Sequence, residues 1–185
     1  MRRSTILQFL SSTPFLKGSK VRLRQKHLKD TMDEYCWRQD EEICRLDATT
    51  PITSTFEEYM RWYADNQEIS RNSYILSIET LDGMHIGNCG CFNIDDVKCE
   101  MEMGIIIGDK GYWNNGYGED AVKTLVINLM QYTHVGRIYL KTLDWNCRAH
   151  RCFEKCGFVP CGRLDRLDQR FIIMEMKRPK AAQMD

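Results

Sequence analysis

Residues 111–121, Gly111-Tyr112-Trp113-Asn114-Asn115-Gly116-Tyr117-Gly118-Glu119-Asp120-Ala121, join a strand-like segment to an amphipathic helix, and no other stretch narrows the possible folds so far. Upstream, Cys99, Met101, Met103 and Ile105 alternate with Glu100, Glu102 and Gly104, the period of two that suits a strand with one buried face. Downstream, Val122, Leu125, Val126, Leu129 and Met130 recur at helical spacing. Glycines at such a junction let the backbone approach a ligand, and the free amides and dipole of a helix N-terminus favour a phosphate. A plain turn with glycines chosen for positive φ satisfies the same residues.

The flanking elements give an order. Val21 and Leu23 alternate with Lys20, Arg22 and Arg24 as a short strand, and Leu28 to Trp37 reads as an acidic helix. Asp47 to Ser54, with Pro51, is a loop, and Thr55-Phe56-Glu57-Glu58 has the capping-box spacing of a further helix that places Tyr59, Trp62 and Tyr63 on one side. Ser73 to Thr80 and Met84 to Ile94 pair as a hairpin through Asp82-Gly83, and Lys98 to Ile107 is a third strand. Beyond the long helix, Ile138 to Leu143 is strand-like, and Ala149, Cys152, Phe153 and Cys156 mark a shorter helix. Two closing strands run from Phe158 and over Arg170 to Met176, with a turn near Asp168. The order β-α-α-β-β-β-α-β-α-β-β predicts an α/β (α+β) fold with a mixed sheet of about seven strands and about four helices, not a plain βαβ series.

The chain has 185 residues, 43% of them hydrophobic, which suits one domain with its own core and excludes disorder. No apolar run approaches the ~20 residues of a membrane span, and a net charge of zero argues against a nucleic-acid or membrane coat. That zero is uneven. Residues 1–29 carry eight basic residues and no acid, whereas 30–47 carry seven acids and two arginines. Nine scattered cysteines, an odd number, point to a reducing cytoplasm. The apolar stretch after Met1-Arg2-Arg3 is too short for a signal peptide, so 1–18 is expected to be an N-terminal extension, 19–178 the domain and 179–185 a tail. Cys147, Cys152, Cys156 and Cys161 form no C-x-x-C pair, and His27, His85, His134 and His150 show no ligand spacing, so no metal is expected.

Two phosphate-binding readings of the junction compete. Gly116-x-Gly118-x-x-Ala121 satisfies a dinucleotide fingerprint, with Asp144 placed to hold a ribose, and implies an NAD(P)-dependent oxidoreductase. Against it, Gly108 to Asn115 intervene after the strand, and too little chain follows Asp144 for more crossover units. In the second reading, the segment resembles motif A of the GNAT acetyltransferase superfamily, Q/R-x-x-G-x-G/A, with Trp113, Gly116 and Gly118 at the marked positions. Asn146-x-x-Ala149-x-x-x-Phe153-Glu154-Lys155-x-Gly157-Phe158 resembles the family's next motif, and Met101-Glu102-Met103-Gly104 its "A-E-I-G" strand. Trp37-Arg38-x-Asp40 is similar to the "W-R-N-D" of the ribosomal-protein N-terminal acetyltransferase branch. The resemblance spans about Lys20 to Lys177.

It implies a mostly antiparallel sheet in which acetyl-CoA, as cosubstrate, lies where the strands ending at Ile107 and Leu143 splay apart. Backbone at Ile105, Ile106 and Ile107 would pair with the pantetheine arm. Amides of Asn114, Asn115, Gly116, Tyr117, Gly118 and Glu119 would hold the pyrophosphate, and Asn146 would bond to the pantetheine chain. Trp113 departs from the motif's Gln or Arg, which removes a long polar side chain but leaves the backbone amides.

Acetyl transfer to an amine needs a base for the ammonium and a proton for the leaving thiolate. Glu102 matches the family's carboxylate base and shares a strand face with Glu100; a solvated face is the plain alternative. The family's proton-donating Tyr is here Phe153, which has no proton to give, so it is expected to pack beside the cofactor, with Cys152 and His150 as weak substitutes. The acceptor would arrive over the early helices, where Asp33, Glu34, Asp40, Glu41 and Glu42 suit a cationic amine such as a peptide N-terminus or a polyamine, or form a solvated face. The expected assembly is a monomer or homodimer without nucleic-acid or membrane partners. A CoA-binding module without catalysis stays as an alternative, given Phe153.

Overall fold

The computed structural model describes residues 4–65 and 72–179. The first residues of the expected extension and nearly all of the expected tail lie outside that range. Eight strands form one sheet: β1 (Phe15–Lys17), β2 (Val21–Gln25), β3 (Tyr74–Thr80), β4 (His85–Asp95), β5 (Glu100–Ile107), β6 (Arg137–Leu143), β7 (Val159–Arg166) and β8 (Gln169–Lys177). Their spatial order is β1-β2-β3-β4-β5-β6-β8-β7. Six helices accompany them: α1 (Thr5–Ser12), α2 (Thr31–Gln39), α3 (Glu41–Leu46), α4 (Phe56–Asp65), α5 (Tyr117–Tyr132) and α6 (Cys147–Lys155). The mixed sheet expected from the element order, mostly antiparallel as the family resemblance implies, is what the chain adopts, with one strand and two helices more.

Among the described residues only β5 and β6 run parallel, and they pair over three positions: Glu100 with Arg137, Met101 with Ile138, and Glu102 with Tyr139. One parallel pair leaves no place for the repeated crossover units of a dinucleotide-binding sheet. The rest is hairpin pairing; β3 and β4 join through the Asp82-Gly83 turn, with Gly83 at φ 99°, a left-handed conformation that glycine adopts without steric cost.

The alternation read along β5 buries Met101 and Met103 against α5, whose Ala121, Val122, Leu125, Val126 and Leu129 complete the stripe. Within the stretch expected to precede the domain, α1 lays Ile6 and Leu10 into this same core, and β1 adds an edge strand to β2. The capping box forms as its spacing predicts: the Thr55 amide donates to Glu58 at 2.8 Å and the Glu58 amide to Thr55 Oγ1 at 3.3 Å. The acidic helix expected over Leu28 to Trp37 is shorter, and Asp40 opens α3 by accepting from the Ile43 amide at 3.0 Å. Only Ile43 and Cys44 of α3 are buried, too few for a periodic stripe.

A buried ionic knot ties the early helices to the sheet. Arg24 of β2 grips Asp30 with two bonds, at 2.7 and 2.9 Å, and also donates to Glu79. Burial alone would raise the Asp30 pKa; bonds from Arg24, the His27 amide and Ser77 overcome it and hold the carboxyl well below the usual range.

Candidate functional site

Beyond Glu102 and Tyr139 the strands β5 and β6 separate, and a cavity of about 480 Å³ opens between the free end of β5, the N-terminus of α5 and the face of α6. Of the residues expected at a cofactor site, Ile105, Ile106, Ile107, Trp113, Asn114, Gly116, Gly118, Glu119, Asn146 and Phe153 all line it. Asn115 and Tyr117 do not. The Asn115 carbonyl accepts from Lys20 at 2.8 Å, and the Tyr117 ring meets Tyr112 edge-on at 5.0 Å.

The junction is shaped by backbone chemistry. Asn114 at φ 61° and Gly116 at φ 81° turn the chain so that α5 begins beneath the cavity. Among the described residues, the amides of Tyr117, Gly118 and Glu119 have no protein acceptor, as expected for a first helical turn. Asp120 anchors this turn from behind, accepting from the amides of Ser19, Lys20 and Val21 at 3.1, 2.7 and 3.0 Å. An added Cβ at Gly18 would strike Asp120 and Thr124, which explains the glycine there.

Across the cleft, α6 contributes Arg148, Arg151 and Lys155. They recur at i, i+3 and i+7, one face of a helix, and sequence reasoning missed them by following only the apolar stripe of that helix. Free amides on one wall and three cations on the other fit a phosphate-bearing ligand. Arg148 lays its guanidinium over the Trp113 ring at 4.0 Å, so a cation stands beside the position where the motif's polar side chain is replaced. The Trp113 indole in turn donates to the Ile107 carbonyl at 2.6 Å.

Asn146 caps α6, its Oδ1 accepting from the Ala149 amide at 3.2 Å, while among the described residues its Nδ2 has no partner. Phe153 is buried and packs on Phe158 at 6.0 Å while closing one end of the cavity. Cys152 lines the wall, and the Cys156 thiol beside it holds its pKa below the usual value. His150 lies off the lining and meets the Leu143 carbonyl at 2.9 Å. Cys89 and Cys91 are core thiols, and burial pushes Cys89 up to about 12.

Glu102 lies at the closed root of the splay, outside the cavity lining, with Lys141 and Asn93 on its carboxylate at 2.8 and 2.9 Å. The acids of the early helices are also largely engaged. Lys26 meets Glu34 at 2.7 Å, His85 meets Asp33 at 2.9 Å, and Lys110 meets Asp40 and Glu42 at 2.9 and 2.8 Å. What α3 and the residue that caps its C-terminus bring to the cavity is Ile43, Leu46 and Asp47, none of which sequence reasoning had singled out for it. Arg45 stacks on Trp145 at 4.8 Å and joins α3 to the opposite rim.

Residues 20–159 match the family model described as acetyltransferase (GNAT) domain. A probable spermine N(1)-acetyltransferase of Bacillus subtilis subsp. natto is 31% identical over 68 residues, 37% of this chain and 45% of that enzyme. The alignment thus spans a little under half of the relative's length. The fold is similar to that of a spermidine N-acetyltransferase from Vibrio cholerae in complex with CoA and spermine: TM-score 0.76, 19% identity, 86% of this chain and 96% of that one. An aminoglycoside acetyltransferase in complex with coenzyme A gives a TM-score of 0.69 at 22% identity, over 85% of this chain and 95% of that one. At these identities the two structures speak for the fold alone.

Proposed function

This chain belongs to the GNAT acetyltransferase family, and we propose that it transfers the acetyl group of acetyl-CoA to a primary amine of cationic character, a polyamine being the first choice. The observation that carries this reading is the cleft at the β5–β6 splay, which sets unpartnered α5 amides opposite Arg148, Arg151 and Lys155. Acetyl-CoA supplies the thioester-activated acetyl group when bound. The amides of the α5 first turn and the three cations hold its phosphates; the free edge of β5 at Ile105 and Ile106 pairs with the pantetheine arm; the Asn146 Nδ2 donates to that arm. Ile43, Leu46 and Phe153 keep water from the acyl carbon.

The names of the similar polyamine acetyltransferases support the acceptor class. The ribosomal-protein branch rests on the Trp37-Arg38-x-Asp40 resemblance alone. No described helix is long and apolar enough to cross a membrane. A thermal shift with acetyl-CoA against NAD(P), followed by a panel of amines scored for acetyl-CoA consumption, tests the proposal. Stabilisation by acetyl-CoA and turnover with spermine or spermidine are expected; no stabilisation by acetyl-CoA sinks it. Phe153 favours a second reading, CoA binding without catalysis, and stabilisation without turnover on any amine would select it.

A further inference from the structure

We propose that Asp47 is the acceptor-side carboxylate of the cleft, binding the ammonium of the incoming amine and taking its proton; this rests on the acetyltransferase reading above. Among the described residues, the acidic ones that line the cavity are Asp47 and Glu119. Lys123 occupies Glu119 at 2.7 Å, whereas among the described residues the Asp47 carboxylate has no hydrogen bond or ion pair. To a wall otherwise built of Ile43, Leu46 and the free end of β5, Asp47 therefore brings a negative charge that no direct hydrogen bond or ion pair among the described residues engages.

Its position is fixed by the backbone. The Asp47 amide bonds to the Ile43 carbonyl at 3.0 Å, the Thr49 amide returns to Cys44 at 2.9 Å, and Ala48 between them is held at φ 55°. A non-glycine residue in that region marks a turn that the surroundings hold in place. Although open to solvent at the mouth, the carboxyl is crowded by the cavity walls. That burial raises its pKa above the usual carboxylate value, with the charge of Arg38 partly opposing. The other charged groups on the cavity are Glu119 from α5 and Arg148, Arg151 and Lys155 from α6.

The protons balance without a further reagent. The ammonium gives one proton to the Asp47 carboxylate, and the freed nitrogen lone pair forms the C–N bond as the C–S bond breaks. The second nitrogen proton neutralises the departing thiolate, so an amide and a free thiol leave, and Asp47 releases its proton to solvent. A carboxylate with a raised pKa is a better proton acceptor for this step than an ordinary one.

The test compares wild type, Asp47→Asn, Asp47→Glu and Glu102→Gln, with acetyl-CoA and spermine as probes. Asp47→Asn is expected to lower kcat/KM for spermine by about 100-fold and to remove the acid limb of its pH profile. Calorimetry should show spermine binding to the CoA-loaded protein weakened about tenfold, with acetyl-CoA affinity held within about twofold. Asp47→Glu should recover part of the loss. Asp47→Asn with wild-type kcat/KM and spermine affinity overturns the inference, most directly if Glu102→Gln is the inactive variant. Equal loss of acetyl-CoA affinity also overturns it. A wild type that turns over no amine fails both readings, whereas an active wild type beside an unaffected Asp47→Asn fails this one alone.

Discussion

Gly118 and Gly116 are two residues apart, yet physical reasoning assigns them different jobs. An added Cβ at Gly118 would lie 3.6 Å from Ile107 Cγ1, an ordinary contact, and its φ lies outside the left-handed region. Gly118→Ala is therefore expected to fold and to gain up to about 1 kcal/mol of helix propensity. Gly118→Glu places bulk and a negative charge at the unpartnered amides; acetyl-CoA affinity should fall by more than about 100-fold with the fold intact. Titration calorimetry beside circular dichroism checks this, and retained affinity would remove the junction from the cofactor site. Gly116, at φ 81°, holds a conformation that L-residues resist, so Gly116→Ala should cost about 1–2 kcal/mol in urea unfolding. The glycine pattern was legible in the sequence, but which glycine serves the ligand and which the turn depends on φ.

Among the elements, α1 is the one whose standing the sequence left low. Its eight residues carry no long stripe, yet Ile6 and Leu10 are buried to 2% and 1% exposure, and Phe9 stacks on Tyr132 at 5.5 Å. We propose that the folding unit includes α1 and β1. Leu10→Ala should then destabilise the protein by about 2–5 kcal/mol, and removal of residues 1–13 by more. A truncated chain with unchanged Tm would return the segment to the status of an extension. Legibility followed periodicity. The β5 alternation, the α5 stripe and the Thr55 capping box each repeat a local rule, and each appears where its residues predict. The short α3 repeats none, and with it Asp47 escaped notice. The splay of β5 from β6 was reached only through family resemblance, because strand register is decided by long-range packing. The α6 cations obeyed a helical period of their own, and that signal was available.

At the scale of the whole molecule, the uneven charge of the sequence is partly self-complementary, and groups from other elements engage further acids, His85 on Asp33 and Lys110 on Asp40 and Glu42. The basic start supplies Arg24 and Lys26, and the acidic stretch after it supplies Asp30 and Glu34, which they meet at 2.7 Å each. An acid-rich segment read as an attractor for a cation is thus mostly spent on structure. This pairing fixes the expected pH dependence of stability. Asp30 and Asp120 titrate below the ordinary carboxylate value in the folded protein, because burial, which would raise them, is outweighed by their hydrogen bonds. Groups with depressed folded pKa values stabilise fully above the unfolded value of about 4, and that stability is lost as pH falls through the folded values. Asp47 acts with the opposite sign, since its raised pKa means that protonation favours the folded form. One such group does not offset several depressed ones. Urea midpoints should therefore hold nearly level from pH 7 to 5 and fall steeply below about 4. Asp30→Asn leaves Arg24 buried without its main partner and should cost about 3–5 kcal/mol at neutral pH. It should also flatten the acid slope, because one of the titrating groups is gone. A variant as weakened as expected at pH 7, but with the wild-type slope below pH 4, would show that the acid sensitivity arises outside the Arg24–Asp30 pair.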